Sequence, residues 1–468
     1  MASESTLQDP TFPGSASPLR DDAGRPPTRS LARYVVSATP EDLSDPVRRE
    51  AKRTLLNWLG CAIGGSQHES LDIAIGALAP FSGPPQATVL GRSERFDILH
   101  VALLNGISSH VFDFDDTHLK TVIHPAGPVA SAILSLAEYR PTTGRDFLNA
   151  LVLGIEAECR IGNSVYPAHY DIGWHITATT GVFGAAAAAG KLLGLEELQM
   201  TWAFGLAATQ PVGLREMFGT MTKSFHPGRA AQNGLTAALL AARGYTSSEM
   251  AIEAKRGWAN VTSTQHNYAA ITKGLGRTYE ILFNTYKPFA CGIVMHPSID
   301  GCIKLRNENA LAADAIDSIK LRVNHLVLEL TGKRAPHTGL EGKFSVFHAC
   351  AVAIVEGAAG EQQFSDRAVQ ESQIVRLRDK ITAVADANMP PEAAEIEIYM
   401  RDGRHLQTFV RYAIGSLERP MTDADLEGKF RGLTEGVLPV ERVHQLINLC
   451  WRLEELDDVA EIARAAGG

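Results

Sequence analysis

The chain has 468 residues, of which 45% are apolar and 21% are charged, and its formal net charge is −9. A single hydrophobic core stops growing at roughly 250 to 300 residues, so this length predicts two domains. The basic residues form no run that could neutralise a phosphate backbone, which argues against nucleic acid as a partner.

The N-terminal 30 residues are rich in Pro, Ser, Gly and mixed charges. They lack the apolar core of a secretory signal, and acidic residues such as Asp21 and Asp22 argue against a mitochondrial transit peptide. Residues 1–30 are therefore predicted to form a disordered tail.

Between residues 31 and 279 the dominant pattern is helical, because apolar residues recur at spacings of three and four. Residues 42–64 predict one amphipathic helix, and Thr143 with Asp146 resembles the capping box of another. Segments 181–195 and 230–244 are dense in Ala and Gly, which favours closely packed helices. Lys191 interrupts the first of these, so no apolar stretch reaches the length of a membrane span.

From residue 280 to 414 the pattern changes to mixed helix and strand. Residues 319–330 alternate apolar with polar side chains, which predicts a strand, and 345–356 and 366–377 predict helices. Residues 395–400 and 405–412 predict a hairpin through Asp402-Gly403.

The helical pattern returns in residues 415–468, where 422–430, 440–453 and 459–466 predict helices. Strands enclosed by helical segments favour an α+β domain inserted into a discontinuous helical domain. The predicted fold class is therefore mainly α, with an all-helical large domain and a smaller α+β domain.

The densest group of ionisable residues is Asp113-Phe114-Asp115-Asp116-Thr117-His118, followed by His124-Pro125-Ala126-Gly127. If the preceding helix continues, Asp113 and Thr117 face the same way and point to one ligand. Aspartates and histidines at this density indicate the edge of a polar cavity. The alternatives are a solvated helix end and, since the EF-hand spacing is absent, less favourably a metal site.

Two further segments place cationic or titratable side chains near predicted helix starts. His175 opens the Ala-rich segment, and Lys223 lies just before another predicted helix, where both are suited to an anion. His296 and His348 occupy apolar positions of the α+β region, which favours buried core histidines.

Several signatures of other enzyme classes are missing. The chain contains no P-loop, no GxGxxG after a strand, no GxSxG and no HExxH. Its six cysteines, at positions 61, 159, 291, 302, 350 and 450, form no CxxC pair, which predicts free thiols in a reducing, cytoplasmic setting. The sequence therefore gives no motif-based support for a nucleotide cofactor, for acyl-serine chemistry or for zinc-dependent hydrolysis.

The order of these motifs resembles the MmgE/PrpD family, which includes 2-methylcitrate dehydratase and cis-aconitate decarboxylase. The matching pieces are LLNWLGC, DFDDTH with the following HPAG, GWHITAT, LLGL, TKSFHPGRAAQNG and GxxxHP. Together they extend from about residue 31 to the C-terminal helices.

The resemblance implies a helical domain, an inserted α+β lid, a cleft between them, and a homodimer without metal or organic cofactor. It implies catalytic roles for Asp113, His124, His175 and His296, and substrate-binding roles for Thr117, Lys223 and His348. The family often has Tyr at the position of His348.

The expected activity is a lyase reaction on a citrate-derived polycarboxylate, either decarboxylation or dehydration, with the HPAG and GWH pieces closer to the decarboxylases. Two alternatives stay open: an epimerase of an iminodisuccinate-like acid, and a non-catalytic binding protein with the same fold.

Overall fold

The computed structural model describes residues 24–468. Residues 1–23 of the predicted tail lie outside this range. The prediction of a tail reaching residue 30 is wrong at its end, because the first helix begins at Pro27 and buries Thr28 and Ser30. Proline at the first helical position is favourable because its missing N–H would have no helical partner.

Helices dominate the first part of the described chain. They are α1 (Pro27–Ser37), α2 (Asp45–Gly65), α3 (Glu69–Leu78), α4 (Ile98–His110), α5 (Ala126–Tyr139), α6 (Gly144–Val165), α7 (Ala168–Asp171), α8 (Ile176–Leu193), α9 (Glu197–Ala208), α10 (Met221–Ala242), α11 (Trp258–Thr262) and α12 (Ala269–Thr272). Two short antiparallel pairs accompany them, β1 (Ala87–Thr88) with β2 (Arg95–Phe96) and β3 (Asp116–His118) with β4 (Asn284–Tyr286).

Helix α8 lies at the centre of this layer and packs against α5, α6, α9 and α10. Small residues permit the close approach: a Cβ added at Gly234 of α10 would lie 2.5 Å from the Cβ of Ala185. Among residues 24–468, α8 is the one helix long and apolar enough to cross a membrane, but 83% of its residues are buried in the fold. This burial is typical of a core helix.

The second part of the chain combines helices with a four-stranded sheet. Its elements are α13 (His296–Asn309), β5 (Ile316–Val323), α14 (His325–Thr331), α15 (Gly339–Gly342), α16 (Val346–Glu356), α17 (Asp366–Gln370), α18 (Ser372–Arg378), β6 (Ile381–Ala385), β7 (Ala394–Met400) and β8 (His405–Val410). The strand order is β6-β5-β7-β8, with β5 and β6 parallel and the other pairs antiparallel. We call residues 296–410 the α+β unit.

The predicted hairpin of the α+β unit is confirmed, but two other predictions need correction. The strand predicted over 319–330 ends at Val323, because Asn324 caps helix α14 by accepting a hydrogen bond from the Leu326 N–H at 3.0 Å. The helix predicted over 366–377 is divided into α17 and α18 by Glu371, whose carboxylate caps the second helix.

Three C-terminal helices, α19 (Asp423–Thr434), α20 (Val440–Trp451) and α21 (Ala460–Ala466), pack back onto the first part of the chain. Phe430 and Leu446 share a core with Leu55 and Leu59 of α2. In sequence, the α+β unit is therefore enclosed by two helical segments whose side chains meet. The exact domain boundaries, 279/280 and 414/415, stay predictions.

Candidate active site

Asp113 holds two lysines from distant parts of the chain. Its Oδ1 accepts hydrogen bonds from Lys223 Nζ at 2.9 Å and from Lys287 Nζ at 2.7 Å. The Lys287 ammonium also donates to the Asp113 carbonyl at 3.0 Å, and all three side chains are buried. Charge-assisted hydrogen bonds of this kind are the strong ones in proteins.

The helix preceding Asp113 does not continue through it, so the predicted helical pairing of Asp113 with Thr117 is wrong. Helix α4 ends at His110, and Asp113 has a left-handed backbone with φ of 51°. Thr117 lies instead in strand β3. A left-handed conformation is tolerated by Asp better than by most residues and redirects the chain after α4.

The ion pairs fix the charges of these three groups. Burial opposes ionisation of Asp113, but the ammonium groups of Lys223 and Lys287 outweigh it and hold its pKa well below the usual range. Burial lowers the pKa of Lys223 even with Asp113 opposing the shift, whereas Asp113 overcomes burial and raises the pKa of Lys287. Lys223 is therefore the more readily deprotonated of the two lysines.

His110, which the sequence did not single out, connects Lys223 to a second aspartate. Its Nδ1 lies 2.6 Å from Asp115 Oδ2, and its Nε2 lies 3.0 Å from Lys223 Nζ. Burial lowers the pKa of His110, while burial of Asp115 is outweighed by its histidine neighbours, which lower the carboxyl pKa.

His124 is held just before helix α5. Its Nδ1 lies 2.7 Å from the Asp116 carbonyl and 3.2 Å from Thr117 Oγ1. A carbonyl can only accept, so Nδ1 carries the proton and Nε2 is left as an acceptor. Burial lowers the pKa of His124 to about 3, and the ring is neutral near pH 7.

His175 is the N-cap residue of α8, as the sequence predicted. Its Nδ1 lies 2.9 Å from Nδ1 of His226, and its ring meets Phe218 edge-on at 5.1 Å. Burial, followed by the nearby Lys223 ammonium, holds the pKa of His175 well below its usual value. His175 is thus a second neutral imidazole beside Lys223.

The three imidazoles form one group: the ring centroids of His110 lie 4.9 Å from His124 and 5.8 Å from His175. A small cavity adjoins His110, whereas His124 and His175 are not among the residues that line it. The helical side contributes His110, Val111, Asp113, Gly219, Thr220, Met221, Lys223 and Ser224, and the α+β unit contributes Leu340, Lys343 and Phe344. The cavity therefore lies between the two parts of the protein.

Lys223 lies within the first turn of α10, which begins at Met221, and so not before the helix as predicted. The Thr220 hydroxyl donates to the Met217 carbonyl at 2.7 Å and does not cap the helix. The first N–H groups of α10 at the cavity wall remain suited to an anion.

His296 and His348 are not brought into the imidazole group. His296 Nε2 lies 3.4 Å from the Cys291 carbonyl, and burial with the nearby Lys287 lowers the His296 pKa to about 3. His348 Nε2 lies 2.9 Å from the Gln363 carbonyl inside the α+β unit. Both are buried, as core histidines are, and both lie outside the group formed by His110, His124 and His175, so their catalytic and substrate-binding roles stay predictions.

Sequence reasoning missed His110, Lys287 and Lys343. His110 ends α4 three residues before Asp113, a spacing that could have drawn attention to it. Lys287 follows β4, and only the pairing of β4 with β3 brings it to Asp113. No local pattern marks Lys343.

Within residues 24–468, the three histidines also come close to the geometry of a metal site. One ligand atom from each of His110, His124 and His175 lies within 4.8 Å of the others. However, the Lys223 ammonium lies 3.0 Å from His110 Nε2, the nitrogen that would face a metal. A fixed positive charge there disfavours a cation, and the donor set is better suited to a carboxylate.

Comparison with known proteins identifies the family of the chain. The MmgE/PrpD N-terminal domain matches residues 29–270, and the C-terminal domain of the same family matches residues 289–453. The cis-aconitate decarboxylase-like protein oryM of Aspergillus oryzae is 28% identical over 94% of this chain and 97% of its own length. Human cis-aconitate decarboxylase is 26% identical over 94% of each chain, and that of Aspergillus terreus is 25% identical over 93% of this chain and 94% of its own. Since the N-terminal match alone covers more than half of its residues, the chain belongs to the MmgE/PrpD family.

Proposed function

We propose that the protein is a cofactor-independent lyase that decarboxylates a citrate-derived polycarboxylate resembling cis-aconitate. The observation that carries this proposal is the Lys223 ammonium at the cavity wall, beside the neutral imidazoles of His124 and His175. The names of the relatives, which are similar over nearly their whole length, support the same substrate class.

Binding of such an acid requires positively charged and N–H donor groups. A tricarboxylate carries up to three negative charges. The buried Lys223 and the first N–H groups of α10 offer donors for them at the cavity wall. Hydrogen bonds to charged partners are stronger in such surroundings than in water. Calorimetric measurement of substrate binding by Thr117→Ala and His348→Ala variants tests the predicted contacts of these two residues.

Decarboxylation requires a proton at carbon. Loss of carbon dioxide leaves an electron pair on the substrate, and addition of one proton completes the product, so each turnover consumes a proton. Burial lowers the pKa of Lys223, which makes its ammonium the better acid, while the neutral His124 and His175 accept and return protons.

Dehydration is the second candidate, because the same groups serve it. A neutral imidazole would take a proton from carbon, and the ammonium would protonate the leaving hydroxyl. An epimerase of an iminodisuccinate-like acid would use the proton transfer without losing a group. A non-catalytic binding protein would retain the charge arrangement alone.

Proton NMR after treatment with EDTA separates these possibilities, with cis-aconitate, 2-methylcitrate and citrate in separate tubes. New methylene signals with carbon dioxide release from cis-aconitate establish the decarboxylase. An alkene formed from a hydroxy acid establishes the dehydratase, and deuterium uptake from heavy water without a new product establishes the epimerase. If an acid binds but none of these changes occurs, the result supports the non-catalytic binding protein.

We further propose that the α+β unit acts as a lid, since Leu340, Lys343 and Phe344 close one side of the cavity. A homodimer in the cytoplasm is the proposed state of the protein in the cell. Sedimentation equilibrium tests the dimer, and cell fractionation tests the location.

A further inference from the structure

A carboxylate, an imidazole and an ammonium group form a continuous chain at the cavity. Asp115 Oδ2 lies 2.6 Å from His110 Nδ1, and His110 Nε2 lies 3.0 Å from Lys223 Nζ. The His110 and Asp115 side chains are 0% and 1% exposed. With so little solvent access, each group depends on its protein partners for hydrogen bonds.

The partners of His110 determine which nitrogen carries its proton. Asp115 Oδ2 lies within hydrogen-bond distance of His110 Nδ1, and an aspartate carboxylate in that position only accepts. Nδ1 of His110 therefore donates to Asp115, and Nε2 keeps a lone pair that accepts from Lys223. In the opposite tautomer an N–H of His110 would face the ammonium, and the contact would become repulsive.

The three N–H bonds of Lys223 can be assigned in turn. One is directed at His110 Nε2 at 3.0 Å, and a second is directed at Asp113 Oδ1 at 2.9 Å. Because an ammonium is tetrahedral, these two acceptors fix the direction of the third N–H. Lys223 lines the cavity, so that third bond is available to a ligand there.

We propose that Asp115 and His110 are positioning residues that aim the Lys223 ammonium through the tautomer of His110. The role rests on the proposed function, in which Lys223 contacts the substrate. Neither Asp115 nor His110 needs to touch the reacting atoms. Asp115 acts on Lys223 only through the imidazole between them, as the aspartate of a catalytic triad orients its histidine.

The protein contains a matched control for this arrangement. His118 Nε2 lies 3.0 Å from Glu280 Oε2, and His118 Nδ1 lies 2.7 Å from Thr121 Oγ1. This pair is also buried, but it does not line the cavity. Glu280→Gln therefore makes the same chemical change to a buried histidine–carboxylate pair without affecting Lys223.

The test compares Asp115→Asn with Glu280→Gln. An asparagine amide can donate to His110 Nδ1, which permits the opposite tautomer, so we expect kcat/KM of Asp115→Asn to fall about 100-fold. The alkaline limb of its pH profile should move to lower pH, because an ammonium that loses an acceptor is more easily deprotonated. Glu280→Gln should keep both quantities, per folded protein, within about twofold.

A second pair of variants separates positioning from packing. In His110→Gln the side-chain carbonyl can accept from Lys223, whereas the leucine side chain of His110→Leu offers no acceptor. We expect Gln to recover part of the activity that Leu loses. Equal kcat/KM in the two variants, or a wild-type pH profile in Asp115→Asn, would overturn the proposal.

Titration of Lys223 by NMR provides a test that does not depend on turnover. Selective ¹³Cε labelling of lysine gives its signal, assigned by its loss in Lys223→Met. If wild-type protein converts none of the acids, the proposed function fails, and the positioning role is then decided by this titration alone. A lower Lys223 pKa in Asp115→Asn supports the role, and an unchanged pKa refutes it.

Discussion

Lys343 of the α+β unit donates a hydrogen bond of 2.7 Å to the carbonyl of Phe112, the residue before Asp113. Its ammonium also donates to the Ala290 carbonyl at 2.9 Å and pairs with the Glu361 carboxylate. The Lys343 residue is 1% exposed. One buried lysine therefore connects the proposed lid to the left-handed turn that presents Asp113.

Lys343→Met should impair catalysis by freeing the backbone beside Asp113. A small displacement of reacting groups lowers kcat/KM by about 100-fold, and this is the loss we expect. The control is Lys333→Met, which removes an exposed ion pair with Glu341 and should leave kcat/KM unchanged. Steady-state kinetics by carbon dioxide release measures both.

Loss of Lys343 also leaves Glu361 without its partner. Burial raises the pKa of Glu361 to about 7 even with Lys343 present. The double variant Lys343→Met/Glu361→Gln removes the unpartnered carboxyl group and should recover thermal stability without recovering activity. Recovery of full activity in the double variant would contradict the positioning role of Lys343.

Lys223→Ala and His175→Ala should change KM and kcat in different proportions. A lost charge-assisted hydrogen bond costs about 1.5 to 3 kcal/mol, so Lys223→Ala should raise KM about tenfold or more. Its kcat should fall as well, because the proposed acid is removed. His175→Ala should chiefly lower kcat, by about 100-fold, because a proton-transfer group is removed. Binding of the substrate by calorimetry separates affinity from turnover, and the same pattern in both variants would contradict the assignment.

Glu158 should make the protein less stable as pH rises. It is fully buried, and neither carboxyl oxygen has a hydrogen-bond partner among residues 24–468. Burial, followed by the nearby Asp116, raises the pKa of Glu158 well above its usual value. The contribution of Glu158 to folding is therefore complete below the unfolded pKa of about 4.3 and is lost as pH rises towards the folded pKa, by about 1.4 kcal/mol per unit.

Glu158→Gln removes this titration, so its Tm should exceed that of the wild type increasingly as pH rises from 5 to 8. Glu138→Gln is the control, because the Glu138 carboxylate accepts from both the Thr88 N–H and its hydroxyl at 2.7 Å. That variant should be less stable than wild type, since an amide satisfies the two donors less well. Scanning calorimetry across this pH range gives the sign, and a Tm difference for Glu158→Gln that stays constant with pH would rule the explanation out.

Removal of divalent metals should leave activity unchanged. The Lys223 ammonium beside His110 Nε2 disfavours a cation among the three histidines. Dialysis against EDTA, followed by metal analysis and the kinetic assay, tests this expectation. Loss of activity that returns on addition of one particular metal would require a different account of the imidazole group.

Local sequence patterns predicted most elements with a local cause. Thr143 caps α6 by accepting from the Asp146 N–H at 3.1 Å, and Asp402-Gly403 forms the turn between β7 and β8. The strand predicted over 319–330 was wrong beyond Val323, because alternating leucines also suit one face of a short helix and Asn324 provides its cap. When the spacing of apolar residues favours a strand and a capping residue favours a helix, tertiary packing determines which element forms.

Short sequence motifs predicted the family, the helical and α+β segments, and five residues of the candidate site: Asp113, Thr117, His124, His175 and Lys223. These residues belong to short sequence motifs, which can be recognised without knowledge of tertiary contacts. The tertiary structure alone brings Lys287 and Lys343, from distant segments, to the turn at Asp113. It also decided the charge of each imidazole, because burial and neighbouring ions, rather than residue type, set a pKa.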